Sequence, residues 1–288
     1  MDDSRIFIVG AKGQLGTALR AIYPNAKSAD IDELDITDLD SVAAFDWSDI
    51  DVILNAAAFT NVDGAETTEG RLASWRVNAT AVSYLAQVCS EHDMTLVHIS
   101  SDYVFDGTAV PHTEEEQYSP LSVYGASKAA GDIAVSMTKK HYLLRTSWVI
   151  GEGHNFVKTM KSLAEKGVEP TVVSDQIGRL TFTSDLADAI NHLLSTNQAY
   201  GTYNLTNDGA PASWADIAKL VYEAAGYDPS SVTPVTTAEY YAGKEGIAPR
   251  PLQSTLDIAK IQNAGFTPRD WHTALKEYMD RLGQEGTN

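Results

Sequence analysis

The amino-acid sequence predicts an α/β fold, a doubly wound parallel sheet joined to a smaller, interleaved C-terminal region. Three observations predict it. Short apolar runs alternate with amphipathic segments through the first half of the chain, the pattern of βαβ units. The runs are β-branched and aliphatic without polar alternation, as in strands buried on both faces. A glycine-rich turn, Gly10-Ala11-Lys12-Gly13-Gln14-Leu15-Gly16, separates the first run from the first amphipathic segment.

Arg5 to Val9 is the first expected strand and Gln14 to Tyr23 its helix. A second strand ends near Asp30, and Asp51 to Asn55 forms another buried one. A helix from about Leu72 to His92 leads into the strand Thr95 to Ser100. The alanine- and lysine-rich stretch Ser122 to Lys140 predicts a long helix, followed by the strand Tyr142 to Thr146. Beyond about Trp148 proline, glycine and threonine become more frequent and the helices lie further apart. No internal repeat or low-complexity linker interrupts the chain.

Composition narrows the functional classes. The 288 residues, 43% hydrophobic and 21% charged, are those of a globular chain. Lysine and arginine number 21 against 39 acidic residues, a formal net charge of −18. Such a polyanion is repelled by nucleic acid and by anionic membrane surfaces. No stretch approaches the roughly 20 apolar residues of a membrane span, and no secretory signal is visible, so a cytoplasmic location is expected. The single Cys89 forms no intrachain disulfide, and the seven histidines show no metal-ligand spacing. No metal is expected.

The glycine turn has a chemical reading. In a strand-turn-helix context Gly10 permits the tight turn, and Gly13 lets backbone amides approach a pyrophosphate without a Cβ clash. Gly16 lets the helix pack close to the strand. The spacing GxxGxxG differs from the common GxGxxG fingerprint, and a plain connecting loop is the competing reading. Asp30 stands about 20 residues on, where a carboxylate accepts hydrogen bonds from a ribose and repels a 2′-phosphate. Ile31, not arginine, follows it. NADH is therefore expected to be preferred over NADPH, although Asp30 also reads as a solvated turn residue.

Tyr124-Gly125-Ala126-Ser127-Lys128 places a phenol and an ammonium on one helix face. A tyrosine delivers a proton to the alkoxide that forms as hydride reaches a ketone carbon. The adjacent ammonium is expected to lower its pKa from about 10. YxxxK alone is common on surface helices. Ser101 strengthens it, because its hydroxyl follows a strand at the sheet edge where ligands bind, though a turn or capping role is the alternative. Asn55-Ala56-Ala57-Ala58 adds small residues after a buried strand, which lets backbone approach a cofactor.

With these motifs in place, the chain resembles the extended short-chain dehydrogenase/reductases, and within them the dTDP-4-dehydrorhamnose reductase family. The matching segments include Gly10 to Gly16, Asn55 to Glu66, Val77 to Ala81, Ser100 to Gly107, Tyr124 to Lys128, Arg145 to Gly151, Asp175 to Gly178 and Arg250 to Asp257. The first and the YxxxK mark the superfamily; SSDYVFDG, NAAAFTNVD and RTSWV are far more specific. The resemblance implies a Rossmann-like NAD(P)-binding unit over 1–147 and 181–206, and a substrate-binding unit over 148–180 and 207–288. It implies hydride transfer to C4 of dTDP-4-dehydro-6-deoxy-L-mannose, with Tyr124 as proton donor, Lys128 as its electrostatic partner and Ser101 orienting the carbonyl. Gly13, Gln14 and Leu15 would line the diphosphate, Asp30 the ribose, Asp35 and Ile36 the adenine. Ala58, Phe59, Thr60, Asn78 and Ile99 would complete the cofactor site. Asp102 and Trp148 would meet the deoxysugar, Trp148 reading otherwise as a core residue. Arg250 could pair with the substrate diphosphate or lie on the surface of its proline-rich loop. The acidic run Glu114-Glu115-Glu116 reads as a solvated face.

The sequence departs from the family pattern at Ile150, Leu180 and Ile31, where tyrosine, proline and arginine are usual. Rival readings are kept. A 4,6-dehydratase is disfavoured because Ser101-Asp102-Tyr103 lacks the glutamate that its elimination uses. A 4-epimerase would hold NAD through its cycle. A non-catalytic subunit, similar to the regulatory subunit of methionine adenosyltransferase, would bind a partner enzyme. A homodimer, or an associated or fused epimerase, are the protein partners left open.

Overall fold

Alternate residues of each central strand are buried against different helices, and this two-sided burial organises the molecule. The computed structural model describes residues 2–285. Met1 and residues 286–288, at the outer limits of the expected units, lie outside the described residues. Six parallel strands form the sheet: β1 (Ile6–Val9), β2 (Lys27–Ala29), β3 (Val52–Asn55), β4 (Thr95–Ser101), β5 (His141–Thr146) and β6 (Gly201–Asn204). Their order is β2-β1-β3-β4-β5-β6. The direction of winding reverses at β1, with β2 on one side and β3 on the other. That is the switch point beside which ligands bind in open α/β sheets.

On one face, Ile6, Ile8, Leu54, Val97 and Leu144 pack with Leu19 of α1 (Gln14–Ile22) and with Leu186 and Ile190 of a later helix (Thr183–Ser195). On the other, Phe7, Val9, Ile53, Leu96 and Leu143 meet Val42 of α2 (Leu39–Ala44) and two further helices. The first of these follows α3 (Thr68–Trp75): a five-residue π-type turn, Arg76–Thr80, continues into α4 (Ala81–Glu91). The second is α5 (Val123–Ser136). The expected helix from Leu72 thus starts four residues earlier, because the Thr67 hydroxyl accepts from Gly70 N–H and caps it. Likewise α5 stops at Ser136, short of Lys140, and Ser122 is its cap rather than its first turn.

A second core forms from Ile150, Val157, Leu180, Phe182, Val221, Trp271 and Tyr278. Its helices are α6 (Phe156–Glu165), α8 (Trp214–Ala224) and α11 (Trp271–Glu285), while α7 (Thr183–Ser195), which follows Phe182, packs on the main sheet. The short helix α9 (Thr237–Tyr241) follows α8, and α10 (Ala259–Asn263) brings Ile261 back to the main sheet, where Ile258 and Ile261 join the face covered by α1 and α7. Among the described residues no helix is long and apolar enough to cross a membrane.

The acidic run is not a solvated face. Glu114 Oε1 accepts from Asn204 N–H at 2.9 Å, and Glu116 meets the buried His112 ring at 2.8 Å. Only Glu115 of the three is exposed. These contacts fasten the loop after β4 onto the end of β6.

Ile53 has no exposed surface at the centre of the sheet. Ile53→Ala is expected to cost about 2–5 kcal/mol, the range for emptying a buried aliphatic site. Urea unfolding should show the lower midpoint; a shift below about 0.5 kcal/mol would contradict this packing.

Candidate active site

At the carboxyl end of β1 the chain turns through Gly10, whose φ of +75° suits glycine. A Cβ there would stand 2.7 Å from Ala57 N, and one at Gly16 only 2.1 Å from Gly10 O. Both positions are therefore closed to larger residues by backbone. Gly13 differs: a Cβ would meet only Gly10 O, at 3.3 Å. It caps α1 without a side-chain hydrogen bond, so the first-turn amides of this nine-residue helix remain available to an anion.

Two adjoining cavities open here. The smaller, about 330 Å³, is lined by Gly10, Gly13, Asp30, Asp35, Ile36 and Ala58. The larger, about 580 Å³, is lined by Gly13, Gln14, Leu15, Ala58, Thr60, Ile99, Ser101, Asp102, Tyr124, Lys128 and Trp148. Gly13 and Ala56 to Ala58 belong to both, so they form one continuous cleft. Thus residues separated by more than a hundred positions meet as the motifs predict. Thr146, at the end of β5, also faces the larger cavity, and was missed. Its place at a strand's carboxyl edge, opposite Ser101 in register, was the available signal.

Three expected residues lie elsewhere. Asn78 is 1% exposed and lines neither cavity. Its amide accepts from Phe59 N–H at 2.9 Å and donates to Phe59 O at 3.0 Å, so it holds the cleft loop from behind. Phe59 is the clamped residue and lines neither cavity. Arg250 also stays off the lining: its guanidinium donates to Asp63 at 2.8 Å and to Ala248 O at 2.9 Å, beneath the Tyr241 ring.

At the first cavity, Asp30 accepts from Lys12 N–H at 3.0 Å and Ile31 N–H at 2.9 Å. The carboxylate is therefore tied to the glycine turn, not loose in solvent. At the second, Ser101 accepts from Tyr103 N–H and donates to Asp102 Oδ1 at 2.9 Å. Asp102 is 2% exposed, and burial pushes its carboxyl up to about 6. The Ser254 hydroxyl also faces the Asp102 carboxyl, while the Gln14 Oε1 and Thr146 Oγ1 atoms are buried without a protein partner. Polar groups left so in a cleft fit a polar ligand.

Tyr124 and Lys128 occupy the first turns of α5. Lys128 Nζ donates to Ile99 O at 2.5 Å, and burial draws the ammonium down to about 8. Burial pushes the Tyr124 phenol up to about 12, while the Ser101 hydroxyl pulls it back. The expected lowering of the phenol is thus reversed. Removal from water dominates and the Asp102 and Asp132 carboxylates add to it, while the Lys128 ammonium is engaged with a carbonyl on β4. A phenol kept protonated at neutral pH is suited to give a proton away.

Trp148 follows β5 at φ +48°, an unusual conformation for a bulky residue. Its indole stacks on Trp214 with centroids 3.8 Å apart and 20° between planes. Gly178 makes room behind it, since a Cβ there would lie 2.9 Å from the ring.

A parallel sheet with a helix N-terminus at its switch point, and Ser, Tyr and Lys in the adjoining cleft, define a dinucleotide-binding protein of the short-chain dehydrogenase/reductase class. The chain belongs to the RmlD substrate binding domain family, whose model matches residues 4–284. It is 38% identical to a dTDP-4-dehydrorhamnose reductase of Aggregatibacter actinomycetemcomitans, over 95% of this chain and 97% of that one. Crystal structures of two relatives share its fold. A dTDP-4-dehydrorhamnose reductase of Clostridium acetobutylicum superposes with a TM-score of 0.88 at 36% identity, covering 96% of this chain and 99% of that one. The Bacillus anthracis enzyme, in complex with NADP, gives 0.88 at 34% identity, with the same coverage.

Asn78→Ala leaves Phe59 N–H and O without their partner. It is expected to lower stability by about 1–3 kcal/mol in urea unfolding. Wild-type stability in that variant would show that the clamp contributes nothing.

Proposed function

We propose that the protein is an NAD(P)H-dependent dTDP-4-dehydrorhamnose reductase, which converts dTDP-4-dehydro-6-deoxy-L-mannose to dTDP-L-rhamnose. The observation that carries this reading is the convergence of Ser101, Tyr124 and Lys128 on one cleft shared with the glycine turn. The full-length likeness to reductases of that name supports the substrate.

The residues present fit a dinucleotide. Gly13, Gln14 and Leu15 would hold its diphosphate at the N-terminus of α1. Asp30 would meet the ribose, Asp35 and Ile36 the adenine, and Ala58, Thr60 and Ile99 the inner half. The loop held by Asn78 and Phe59 would support them from behind. Bound reduced nicotinamide supplies the hydride that turns C4 from ketone to alcohol. Ser101 would turn its hydroxyl proton from Asp102 to the C4 oxygen and fix its direction. Tyr124 passes its phenolic proton to that oxygen as negative charge builds there, and the positive Lys128 stabilises the phenolate left behind. Asp102, partly protonated near pH 6, would hydrogen-bond the sugar, and the Trp148 indole would cover its C–H face. Arg250 would reach a diphosphate only by exchanging Asp63 for it.

We infer that residues 1–147 and 181–206 form the dinucleotide-binding unit, and 148–180 and 207–288 the sugar-binding unit, with α10 packed against the first. On this reading the enzyme acts in the cytoplasm on a soluble nucleotide sugar. It works as a homodimer or beside an epimerase, the reaction class that would supply such a substrate.

NADH is the preferred cofactor on this reading. Asp30 and Asp35 line the ribose end of the cleft, Asp32 and Glu33 belong to the same loop, and Ile31 is 67% exposed. Lys12 is turned to Asp32 and Glu33, at 3.4 and 3.6 Å, and Arg76 donates to Thr37. A 2′-phosphate would therefore face carboxylates. The kcat/KM for NADH should exceed that for NADPH by about tenfold or more, since like-charge juxtaposition costs several kcal/mol. Equal values would overturn the preference.

The reaction itself is tested by following NADH oxidation with dTDP-4-dehydrorhamnose generated in situ. Sugar-dependent oxidation with dTDP-rhamnose as product is expected. Tyr124→Phe should lose about 10²–10⁴ in kcat, the usual worth of a positioned proton donor, with NADH affinity nearly unchanged. A Phe variant of near-normal kcat would remove Tyr124 from the mechanism.

A further inference from the structure

At the cleft floor and beneath it, three charged side chains are almost fully buried. Lys128 is 2% exposed, Asp132 0% and Arg145 3%. Asp132 lies one turn beyond Lys128 on the same face of α5. Arg145, on β5, donates its Nε–H to Asp132 Oδ2 at 3.3 Å and an NH1 proton to Glu114 O at 3.0 Å. Its guanidinium is packed over the Phe105 and Tyr118 rings, each 5.1 Å away. The Ser100 hydroxyl on β4 also faces the Asp132 carboxylate and favours its charged form.

Arg145 thus pairs directly with the buried carboxylate, while Lys128 lies one helical turn from it and feels its charge without a direct ion pair. A buried lysine without a counter-charge loses its proton, because removal from water penalises the ammonium far more than the amine. The other groups around Lys128 do not supply the missing charge. Tyr124 on α5 is a neutral phenol, with its proton held by burial. On β4, His98 is buried and its imidazole is kept neutral, chiefly by burial and further by Lys128 itself. Ile99 contributes a carbonyl, Ser100 and Ser101 contribute hydroxyls, and Asp102 is raised towards the neutral form. Arg145 on β5 adds a positive charge. Burial raises the Asp132 carboxyl above its ordinary value, against the opposing pull of Arg145, then of the Ser100 hydroxyl and then of Lys128, and Asp132 in turn favours the charged form of Lys128.

We propose that Asp132, pinned by Arg145, is the counter-ion that keeps Lys128 protonated at neutral pH. Asp132 is thereby a positioning residue for proton delivery by Tyr124. The inference rests on the reductase reading only for its kinetic expression; the protonation of Lys128 is a property of this chain. Arg145 secures Asp132 in its ionised form, and Asp132 secures Lys128. Lys128 is charged below its pKa and neutral above it, so the charge that Tyr124 uses is lost as pH rises.

Two measurements on Asp132→Asn test it. The first is competitive labelling of the intact protein with acetic anhydride across pH, read on the Lys128 peptide by mass spectrometry, which reports the free-amine fraction without turnover. The second is the pH profile of kcat/KM with NADH and the sugar nucleotide. In wild type, both the labelling midpoint and the alkaline fall in activity are expected near pH 8, where burial places the ammonium. In Asp132→Asn both should move down by at least one pH unit. Activity would then be about fivefold or more lower than wild type at pH 8 and within about threefold at pH 6. Asp132→Ser, which leaves room for a water beside Arg145, is a second neutral variant should the first not fold. Asp132→Glu should restore both midpoints. An unmoved labelling midpoint in the folded neutral variants, or an activity loss equal at every pH, would overturn the proposal. Absence of sugar-dependent turnover in wild type, with the labelling shift intact, would overturn the reductase reading alone.

Discussion

Backbone proximity at the glycine turn governs the rest of this molecule. Helix α1 can begin directly above β1 only because nothing projects from Gly16 towards Gly10 O, or from Gly10 towards Ala57. That contact brings the helix N-terminus to the point where the sheet reverses its winding. It also puts the small residues after β3 beside the turn, so the cleft has a floor of backbone and methyl groups. Every functional side chain is then placed by its distance from this corner: Asp30 at the next strand end, Ser101 and Thr146 on β4 and β5, Tyr124 and Lys128 on the helix between them.

Burial does more than stabilise the fold; it sets the ionic state of the site. The same exclusion of water raises the Tyr124 phenol and the Asp102 carboxyl and lowers the Lys128 ammonium. These three shifts push towards neutral forms, and burial pushes Asp132 the same way. Against them stands Arg145, a cation that cannot give up its proton, packed on the Asp132 carboxylate. The chemistry of the cleft therefore depends on a charge arrangement beneath it, within the wall between α5, β4 and β5.

What the sequence makes legible follows from how local the determinants are. Strands buried on two faces declare themselves by unbroken aliphatic runs, and the glycine turn and YxxxK pair are local spacings. All lie where they were expected. Features that depend on distant partners were not legible. Asn78 sits in a motif that pointed to the cofactor, yet the π-type turn aims its amide at Phe59. Glu114 and Glu116 look like solvent-facing acids until the loop folds back on Asn204 and His112. Arg250 reads as free to bind phosphate, but Asp63, nearly two hundred residues away, occupies it. The Tyr124 shift had the wrong sign because a helical spacing shows which charges are near but not how far water is removed.

The stacked indoles of Trp148 and Trp214 join the segment after β5 to α8 at the margin of the second core. Their near-parallel, close arrangement couples the electronic transitions of the two rings. The pair should give an exciton signature in the far-ultraviolet circular dichroism that neither ring would give alone. Because Trp148 forms part of the cleft wall, that signature is an intrinsic optical gauge of the wall's geometry. A ligand that tilts the indole would change it without an added label.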